Sequence, residues 1–517
     1  MDTQASRSNG KRWSGPATAS PGTRPDPPDA ARGWILFIVV LGTVMASVDT
    51  TIVLLAFPTI AGDLHAGLAT IIWVILIYLL LTSVLTTQFG RIGDLVGRNR
   101  AYNAGFVVFT IGSALCGFAT RASDLVAFRA IQAIGGALMI ATGTAIISEH
   151  FPAASRGRAF GFTSMGWNIG AVLGIALGGV LTTFVGWRYI FFINIPIGII
   201  AVSLGLHYLT PSPRSQARLD LVGMTLLGGV LTLVTYGAVD LASYGANTWN
   251  VSLMIAGGLL ALPFVLWERW IPAPALNLAL FRSRLLSSSL AASFFQSLGY
   301  LSVIFLLIMY LQGVRGLSPL YAALLLVPGY VLSAGLAPAA GRWADRWGAW
   351  IFATAGIGLM ITGVLLYAQL SSSTPLFAIA LITLVTGFGG ALFWPANNKA
   401  VMADAPPRDY GAVSGLLRTL SNSGTIGSYT LVITIAAAVV PRAVAFEVFV
   451  AGRGLIGNVS TTFLGALHTA FYVMALVLLL AAVFSILRRP RASPTVQPAE
   501  APTNAPRTTQ SVPPDPK

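Results

Sequence analysis

The chain has very little of what a water-soluble protein places at its surface. Only 9% of its 517 residues are charged and only 17 are acidic, whereas 55% are hydrophobic. A mean hydropathy of +0.76 points the same way. Composition therefore excludes a soluble globular protein and indicates an integral membrane protein.

Other absences exclude further classes. The single cysteine, Cys116, excludes an intrachain disulfide. The histidines are not placed at metal-ligand spacing, so we predict no metal site. Residues 1–33 have no apolar core, and we interpret them as a disordered cytosolic tail, not a signal peptide. Residues 490–517 are interpreted as a second disordered cytosolic tail.

What the chain does contain is a series of long apolar runs. We count fourteen of roughly 20 residues, each long enough to cross ~30 Å of hydrocarbon as a helix. The sequence therefore predicts an all-α protein with fourteen spans. They lie near residues 34–57, 70–89, 101–120, 124–147, 158–184, 189–209, 219–241, 250–270, 287–311, 319–340, 349–369, 375–398, 410–440 and 463–487.

The basic residues are distributed unevenly about these spans. The net charge of +14 could indicate a nucleic-acid partner, but 24 of the 31 lysines and arginines fall in loops and tails on one predicted side. This is the bias of cytosolic loops in membrane proteins. We therefore predict no nucleic-acid partner, a location in the plasma membrane lipid bilayer, and both termini in the cytosol.

An internal repeat organises the spans. The segment GRIGDLVGR at 90–98 recurs as GRWADRWG at 341–348, with its Gly, Arg, Asp and Gly in the same places 251 positions on. Each copy lies in a charged turn, and the second follows eight spans after the first. Duplicated membrane helices are typical of secondary transporters. The repeat predicts six-helix halves at 34–209 and 287–489, with two inserted helices and linkers at 210–286.

Several motifs, in order along the chain, carry a resemblance to a known family. Together they resemble the fourteen-span drug:proton antiporters of the major facilitator superfamily, over residues 34 to about 487. The resemblance implies the two-half fold of that superfamily and alternating access to a central site. The segments are Val48–Val53 with Pro58, Gly90–Arg98, Phe128–Gln132 with Gly135 and Gly136, Trp187–Pro196, and Tyr310–Gln312 with Ser318–Leu320.

One carboxylate lies deep in a predicted span. Asp49 is ~22 Å from the inner end and ~12 Å from the outer end of the first span, at 1.5 Å per residue. An ionised Asp at such a depth costs roughly 2.5–3.5 kcal/mol on insertion scales, so it should face a cavity or a partner. We interpret Asp49 as a site that loads and releases the coupling proton. The alternative is a static salt bridge or a helix cap.

Arg129 is the expected partner of Asp49. It lies five residues after Asp124, which begins the fourth span, so it is ~8 Å deep, close to the depth of Asp49. A fixed cation at that point would stabilise the carboxylate and help to eject its proton. The family resemblance implies the same role. The alternative is a purely structural ion pair.

Two further sets of residues are assigned from the repeat and from spacing. The duplicated loop is expected to gate transport, as the resemblance implies, although a solvated basic loop is the alternative. Four glycines at every fourth position of the fifth span give one bare helix face for close packing, and the resemblance implies that this stripe seals the central pathway. The loop residues are Gly90, Arg91, Asp94, Gly97, Arg98, Arg342 and Asp345, and the stripe is Gly166, Gly170, Gly174 and Gly178.

Polar and aromatic side chains on repeat helices are candidates to line the substrate cavity, although any one aromatic can instead pack or face lipid. Arg418, ~12 Å into the thirteenth span, could also contact substrate, but its shallow position favours snorkelling to the inner surface. The candidates are Tyr78, Trp167, Asn168, Phe295, Gln296, Tyr300, Phe393, Trp394, Asn397 and Asn422.

The sequence thus predicts a monomeric, proton-coupled exporter of small amphipathic compounds, with protons as coupling ion and no other cofactor. The last six spans contain no acidic residue, which favours hydrophobic, neutral or singly charged substrates. Ile175 stands where the family's antiport motif has proline, and this favours an alternative, export of an endogenous lipid or metabolite. A membrane-embedded enzyme is not favoured, because Ser148, Glu149 and His150 are contiguous on a helix and their side chains diverge.

Overall fold

The computed structural model describes residues 29–210, 212, 219–271, 274, 281, 283–403, 410–439 and 458–488. Within these ranges the regular structure is helical and no strand occurs. The first half comprises α1 (Asp29–Asp63), α2 (Leu68–Ile71), α3 (Trp73–Val96), α4 (Arg98–Gly117), α5 (Ala122–His150), α6 (Ala153–Phe184), α7 (Tyr189–Phe192) and α8 (Asn194–Tyr208).

Two helices separate the first half from the second, namely α9 (Leu221–Tyr244) and α10 (Thr248–Trp270). The second half comprises α11 (Arg284–Met309), which continues as a π-helical turn at Tyr310–Val314, then α12 (Pro319–Trp347), α13 (Ala349–Tyr367), α14 (Leu376–Ala403), α15 (Tyr410–Val439) and α16 (Asn458–Leu487). Residues 1–28 and 490–517 of the two predicted tails lie outside the described residues. The prediction of a tail is wrong for residues 29–33, which form the start of α1.

The helices have the length and apolarity that the bilayer demands. Eleven of those described could cross a membrane, or twelve if the bent pair Trp73–Thr86 and Gln88–Val96 forms one span. The prediction of an all-α integral membrane protein is confirmed. Two further helices occupy predicted spans but are more polar, because α4 begins with Arg98 and Arg100 and α15 carries Arg418. The count of fourteen spans stays a prediction.

Close helix contact in the first half depends on the four-residue glycine stripe of α6, which packs along α1. A Cβ added at Gly174 would lie 2.8 Å from the Val48 carbonyl oxygen, and one at Gly170 would lie 2.7 Å from the Val44 carbonyl oxygen. Both distances are shorter than a side chain tolerates, so bare glycine is what lets the two backbones meet. This contact holds the middle of α1, and with it Asp49, against α6.

The two halves meet along two helix pairs, α6 with α12 and α3 with α15. In the first pair the Leu320 amide donates to the Thr183 hydroxyl at 3.2 Å. In the second, the Thr419 hydroxyl donates to the Ser83 carbonyl at 3.4 Å. A third contact joins α11 to α1, where the buried Gln312 amide donates to the Leu55 carbonyl at 3.1 Å. Among the residues that the structure describes, the interface between halves therefore contains few polar contacts.

The two central helices lie at the periphery. α9 packs on α10 and also contacts α3 and α15. In α10, by contrast, only 17% of the most apolar stretch of the helix is buried. Asp220 caps α9 by accepting from the Gly223 amide at 2.8 Å, and the Trp267 indole donates to the same carboxylate at 2.9 Å. Such an N-cap defines where α9 begins. The helix pair is thus tied together near one end, and α9 lies beside α3 of the first half and α15 of the second.

The duplicated motif has the same backbone in both copies. Gly97 and Gly348 each have φ of +100°, a conformation that glycine adopts without strain. The Gly97 amide donates to the Gly93 carbonyl at 2.9 Å, and the Gly348 amide donates to the Ala344 carbonyl at 3.2 Å. Each glycine ends one helix and begins the next. The repeat seen in the sequence is therefore also a repeat of local structure.

The predicted orientation can be tested with reporter fusions. Alkaline phosphatase fused after Arg489 should be inactive and a fluorescent protein fused there should be bright, because most basic residues fall on that predicted side. A phosphatase fusion truncated after Thr120, in a predicted outer loop, is the matched control and should be active. Phosphatase activity at Arg489 would contradict a cytosolic C-terminus.

Candidate functional site

The centre of the first half holds a buried ion pair. Asp49 on α1 is 0% exposed and Arg129 on α5 is 2% exposed. The Arg129 Nη1 donates to Asp49 Oδ2 at 2.6 Å, which is within the range of a charge-assisted hydrogen bond. The two residues that sequence depth placed together are in direct contact.

Gln132 completes this pair as a closed triangle. Its Nε2 donates to Asp49 Oδ1 at 2.7 Å, and its Oε1 accepts from Arg129 Nη1 at 2.7 Å. Both carboxylate oxygens of Asp49 therefore have a donor. Gln132 was not predicted as a site residue, although it lies three positions after Arg129 and so on the same face of α5. That spacing was the available signal.

Aromatic rings and one carbonyl enclose the Arg129 guanidinium. Its Cζ lies 4.4 Å from the centroid of the Tyr78 ring and 5.9 Å from that of Phe191. Its Nε donates to the Val74 carbonyl oxygen at 3.1 Å. The guanidinium is thus fixed by α3 as well as by α1. Protonation of Asp49 would remove its charge and release Arg129 from its only carboxylate partner among the described residues.

The first copy of the duplicated loop forms its charge contacts within the first half. Arg98 Nε donates to Asp94 Oδ1 at 2.7 Å, and Arg98 Nη1 lies 3.7 Å from Glu149 Oε2. The side chains of these three residues are about one-third exposed or less. Arg91, in the same loop, donates to the Pro274 carbonyl at 2.5 Å. In the second copy Arg342 is exposed, and the Asp345 side chain lies outside the described residues. A gating role for the loop stays a prediction.

Asp94→Asn is expected to lower the transport rate about tenfold or more while changing substrate affinity less than twofold. The change removes the negative charge that pairs with Arg98 but lies in the loop, not at Asp49, and a charge-assisted hydrogen bond contributes roughly 1.5–3 kcal/mol. Transport and binding should be measured on the same preparation.

Asp63→Asn provides the control, because Asp63 pairs with Arg188 at 2.8 Å and lies outside the repeat. An equal loss of binding and transport in Asp94→Asn would argue against a gate.

Two of the predicted cavity residues each lie against an arginine side chain. Tyr78 covers Arg129, as described above, and Trp167 on α6 faces Arg418 of α15, whose Cζ lies 4.4 Å from the ring centroid. Trp167 is ~21 Å along α6 from Ala153 at 1.5 Å per residue. The expectation that Arg418 snorkels to the inner surface is therefore wrong. Its guanidinium reaches across to the other half of the protein instead.

Several other predicted cavity residues are engaged in packing of the second half. Asn397 donates to Ser293 at 2.6 Å and accepts from Arg488 at 2.6 Å. Phe295 stacks on Phe484 of α16, with the ring centroids 5.3 Å apart. Gln296 contacts the Met360 sulfur, and Phe393 lies edge-on to Trp394. Asn168, Tyr300 and Asn422 are half-buried.

Arg488 was not anticipated. It follows the last helix, yet it is 2% exposed and also donates to the Ser485 carbonyl at 3.1 Å. Burial lowers the pKa of Arg488 to about 10. It anchors the end of α16 to α14, and nothing in a polar stretch near a chain end signals such a contact.

Comparison with known proteins gives three findings. A family model described as "Major Facilitator Superfamily" matches residues 39–429. The riboflavin transporter RibZ of Clostridioides difficile is 33% identical over 393 residues, which is 75% of this chain and 85% of that protein. The tetracenomycin C resistance and export protein of Streptomyces glaucescens is 29% identical over 415 residues, which is 79% of this chain and 77% of that protein.

A solved structure is also similar. It is that of a bacterial homologue of the human lysosomal transporter Spinster, in an inward-facing conformation, with a TM-score of 0.59. The match covers 90% of this chain and 98% of the other at 17% identity. At that identity the likeness concerns the fold, and it agrees with the arrangement of two helical halves described above.

Proposed function

Because the chain belongs to the major facilitator superfamily, we propose that it is a proton-coupled exporter of amphipathic, hydrophobic drugs or toxic compounds. The chain is a multi-pass membrane transporter and not an enzyme, since its family and its relatives are transporters. Proton coupling, the direction of transport and the substrate class are the proposed part.

The observation that carries proton coupling is the buried triangle of Asp49, Arg129 and Gln132. Among the described helices, Asp49 is the acidic residue farthest from a helix end, and it is fully buried. A buried ion pair is sensitive to the loss of either charge, because the remaining charge is then uncompensated. A proton that enters from outside and binds Asp49 therefore frees Arg129, and this favours rearrangement of the helices that hold it.

The transport cycle then follows by alternating access. With the central site open to the outside, Asp49 takes up a proton and substrate leaves. With the site open to the cytosol, Arg129 re-forms its contact with Asp49, the proton departs, and substrate enters. The sparse polar contacts between the halves and the bare glycine face of α6 support movement of this kind.

The names of the relatives support two substrate classes. One relative is named for tetracenomycin C resistance and export, which supports export of toxic compounds here. Another is named as a riboflavin transporter, which supports the alternative of an endogenous metabolite as substrate.

Substrate-driven proton flux in proteoliposomes tests the proposal. The protein is reconstituted with a pH-sensitive fluorophore in the lumen, and an amphipathic aromatic dye, an antibiotic, riboflavin and a lysolipid are added in turn. We expect rapid proton movement with the dye or the antibiotic, and none in protein-free liposomes. A response to riboflavin or lysolipid alone would favour the alternative, and substrate uptake with no proton flux would contradict antiport.

A further inference from the structure

One cation between the two halves has no balancing charge. Arg418 on α15 lies with its guanidinium over Trp167, and no ion pair or hydrogen bond joins it to another described residue. The other arginines of the site and its surroundings are paired. Arg129 contacts Asp49, and Arg188 contacts Asp63.

One further donor group is unused. The phenol oxygen of Tyr78 is buried and has no hydrogen-bond partner among the described residues, and the Tyr78 side chain is only 3% exposed. Tyr78 lies close enough to Asp49, Arg129 and Arg418 to interact electrostatically with each of them. A buried hydroxyl without a partner is uncommon in native proteins, so it calls for an explanation. A ligand that accepts hydrogen bonds would satisfy both Tyr78 and Arg418.

We propose that Arg418, Tyr78 and Trp167 form a subsite for the carboxylate of an aromatic organic anion. This rests on the proposed function and narrows its substrate class. The guanidinium offers a planar fork of donors that matches a carboxylate, and the Tyr78 hydroxyl adds a further donor. The Trp167 indole offers a face on which an aromatic ring system can stack beside the charged group.

Charge around the subsite disfavours the opposite assignment. A cationic substrate would need an available carboxylate, but both oxygens of Asp49 already accept hydrogen bonds from Arg129 and Gln132. The predicted spans of the second half contribute no acidic residue. An anion instead neutralises Arg418, which has no carboxylate partner among the described residues.

A matched ligand pair tests the proposal on the purified full-length protein. The probes are anthraquinone-2-carboxylate and its uncharged carboxamide, and binding is measured by equilibrium dialysis in detergent. The wild type should bind the carboxylate at least about tenfold more tightly than the amide. Arg418→Gln should weaken carboxylate binding roughly 10- to 100-fold and amide binding less than twofold. Tyr78→Phe, which keeps the ring against Arg129, should weaken carboxylate binding about two- to tenfold.

Controls separate a binding role from a structural one. The first control is Arg188→Gln. The Arg188 guanidinium also lies 4.4 Å from the centroid of an indole ring, that of Trp187, but it is paired with Asp63. Its loss should therefore leave the affinities for both probes unchanged. Arg418→Lys keeps the charge and should retain part of the preference for the carboxylate. Equal binding of the two probes by the wild type, or equal weakening of both in Arg418→Gln and Arg418→Lys, would overturn the subsite.

Proton flux measured with the same probes distinguishes the two proposals. If the amide drives proton movement but no preference for the carboxylate exists, the subsite is wrong and proton-coupled export stands. If the carboxylate preference depends on Arg418 but neither probe moves protons, the subsite stands and proton coupling is wrong.

Discussion

Asp49→Asn is expected to abolish accumulation of substrate driven by a pH gradient while leaving equilibration down the substrate gradient intact. Asparagine keeps the size of aspartate and its Oδ1 can still accept from Gln132, but like protonated aspartate it leaves the charge of Arg129 uncompensated. It cannot exchange a proton. A gradient of two pH units sustains an accumulation of about 100-fold for one proton per neutral substrate, since each tenfold step corresponds to about 1.4 kcal/mol. In the variant this ratio should fall to one.

The measurement is a pair of assays on the same proteoliposomes. Uphill uptake is followed under an imposed pH gradient, and counterflow of labelled substrate is followed with no gradient. Asp63→Asn removes a more exposed Asp–Arg pair and should accumulate substrate like the wild type. If Asp49→Asn vesicles still accumulate substrate when only a pH gradient is applied, another group carries the proton.

Arg129→Ala should destabilise the protein more than loss of the whole ion pair. It leaves Asp49 buried at 0% exposure without its cation, and breaking a buried pair on one side costs about 3–5 kcal/mol. It also removes the donor to the Val74 carbonyl. The double variant Asp49→Asn with Arg129→Gln removes both charges and keeps polar groups that can bond to each other. It should recover at least about half of the lost free energy of unfolding.

The free energy of unfolding can be obtained by titrating the protein from mild detergent micelles into sodium dodecyl sulfate. Arg188→Ala is the matched control, because its pair with Asp63 is about half-exposed and should contribute no more than about 1 kcal/mol. A double variant as unstable as Arg129→Ala would show that the charges are not the reason for the loss.

The sequence was sufficient to locate the central pair, because depth along a helix follows directly from residue count. Asp49 and Arg129 lie at matching depths. Opposite charges in apolar spans are expected to pair, because an unpaired charge in the membrane is costly. The rotation of each helix about its own axis is harder to predict from the sequence. Gln132 was overlooked, and Asn397 and Phe295 were taken as cavity residues although they contact Arg488 and Phe484. Which face of α11 or α14 points inward depends on packing against neighbours far away in the chain.

Arg418 illustrates the same difficulty. Its distance from the start of α15 favoured snorkelling, because sequence gives depth but not the direction of a flexible side chain. The direction depends on α6 lying opposite α15 and on Trp167 offering an aromatic face. The number of spans stays a prediction, because α4 and α15 are more polar than the eleven helices that could cross a membrane.

The residues of the central triangle and Arg418 lie on different halves of a duplicated chain, and this separation has an evolutionary consequence. If Arg418 binds substrate and Asp49 carries the proton, as proposed, a substitution at position 418 alters which substrate is recognised without touching Asp49, Arg129 or Gln132. Descendants of one ancestor can therefore diverge in what they carry while inheriting the same means of using the proton gradient. Selection for resistance to a new compound would then be expected to leave its changes on α15 and the facing surface of α6, and to leave α1 and α5 as they were.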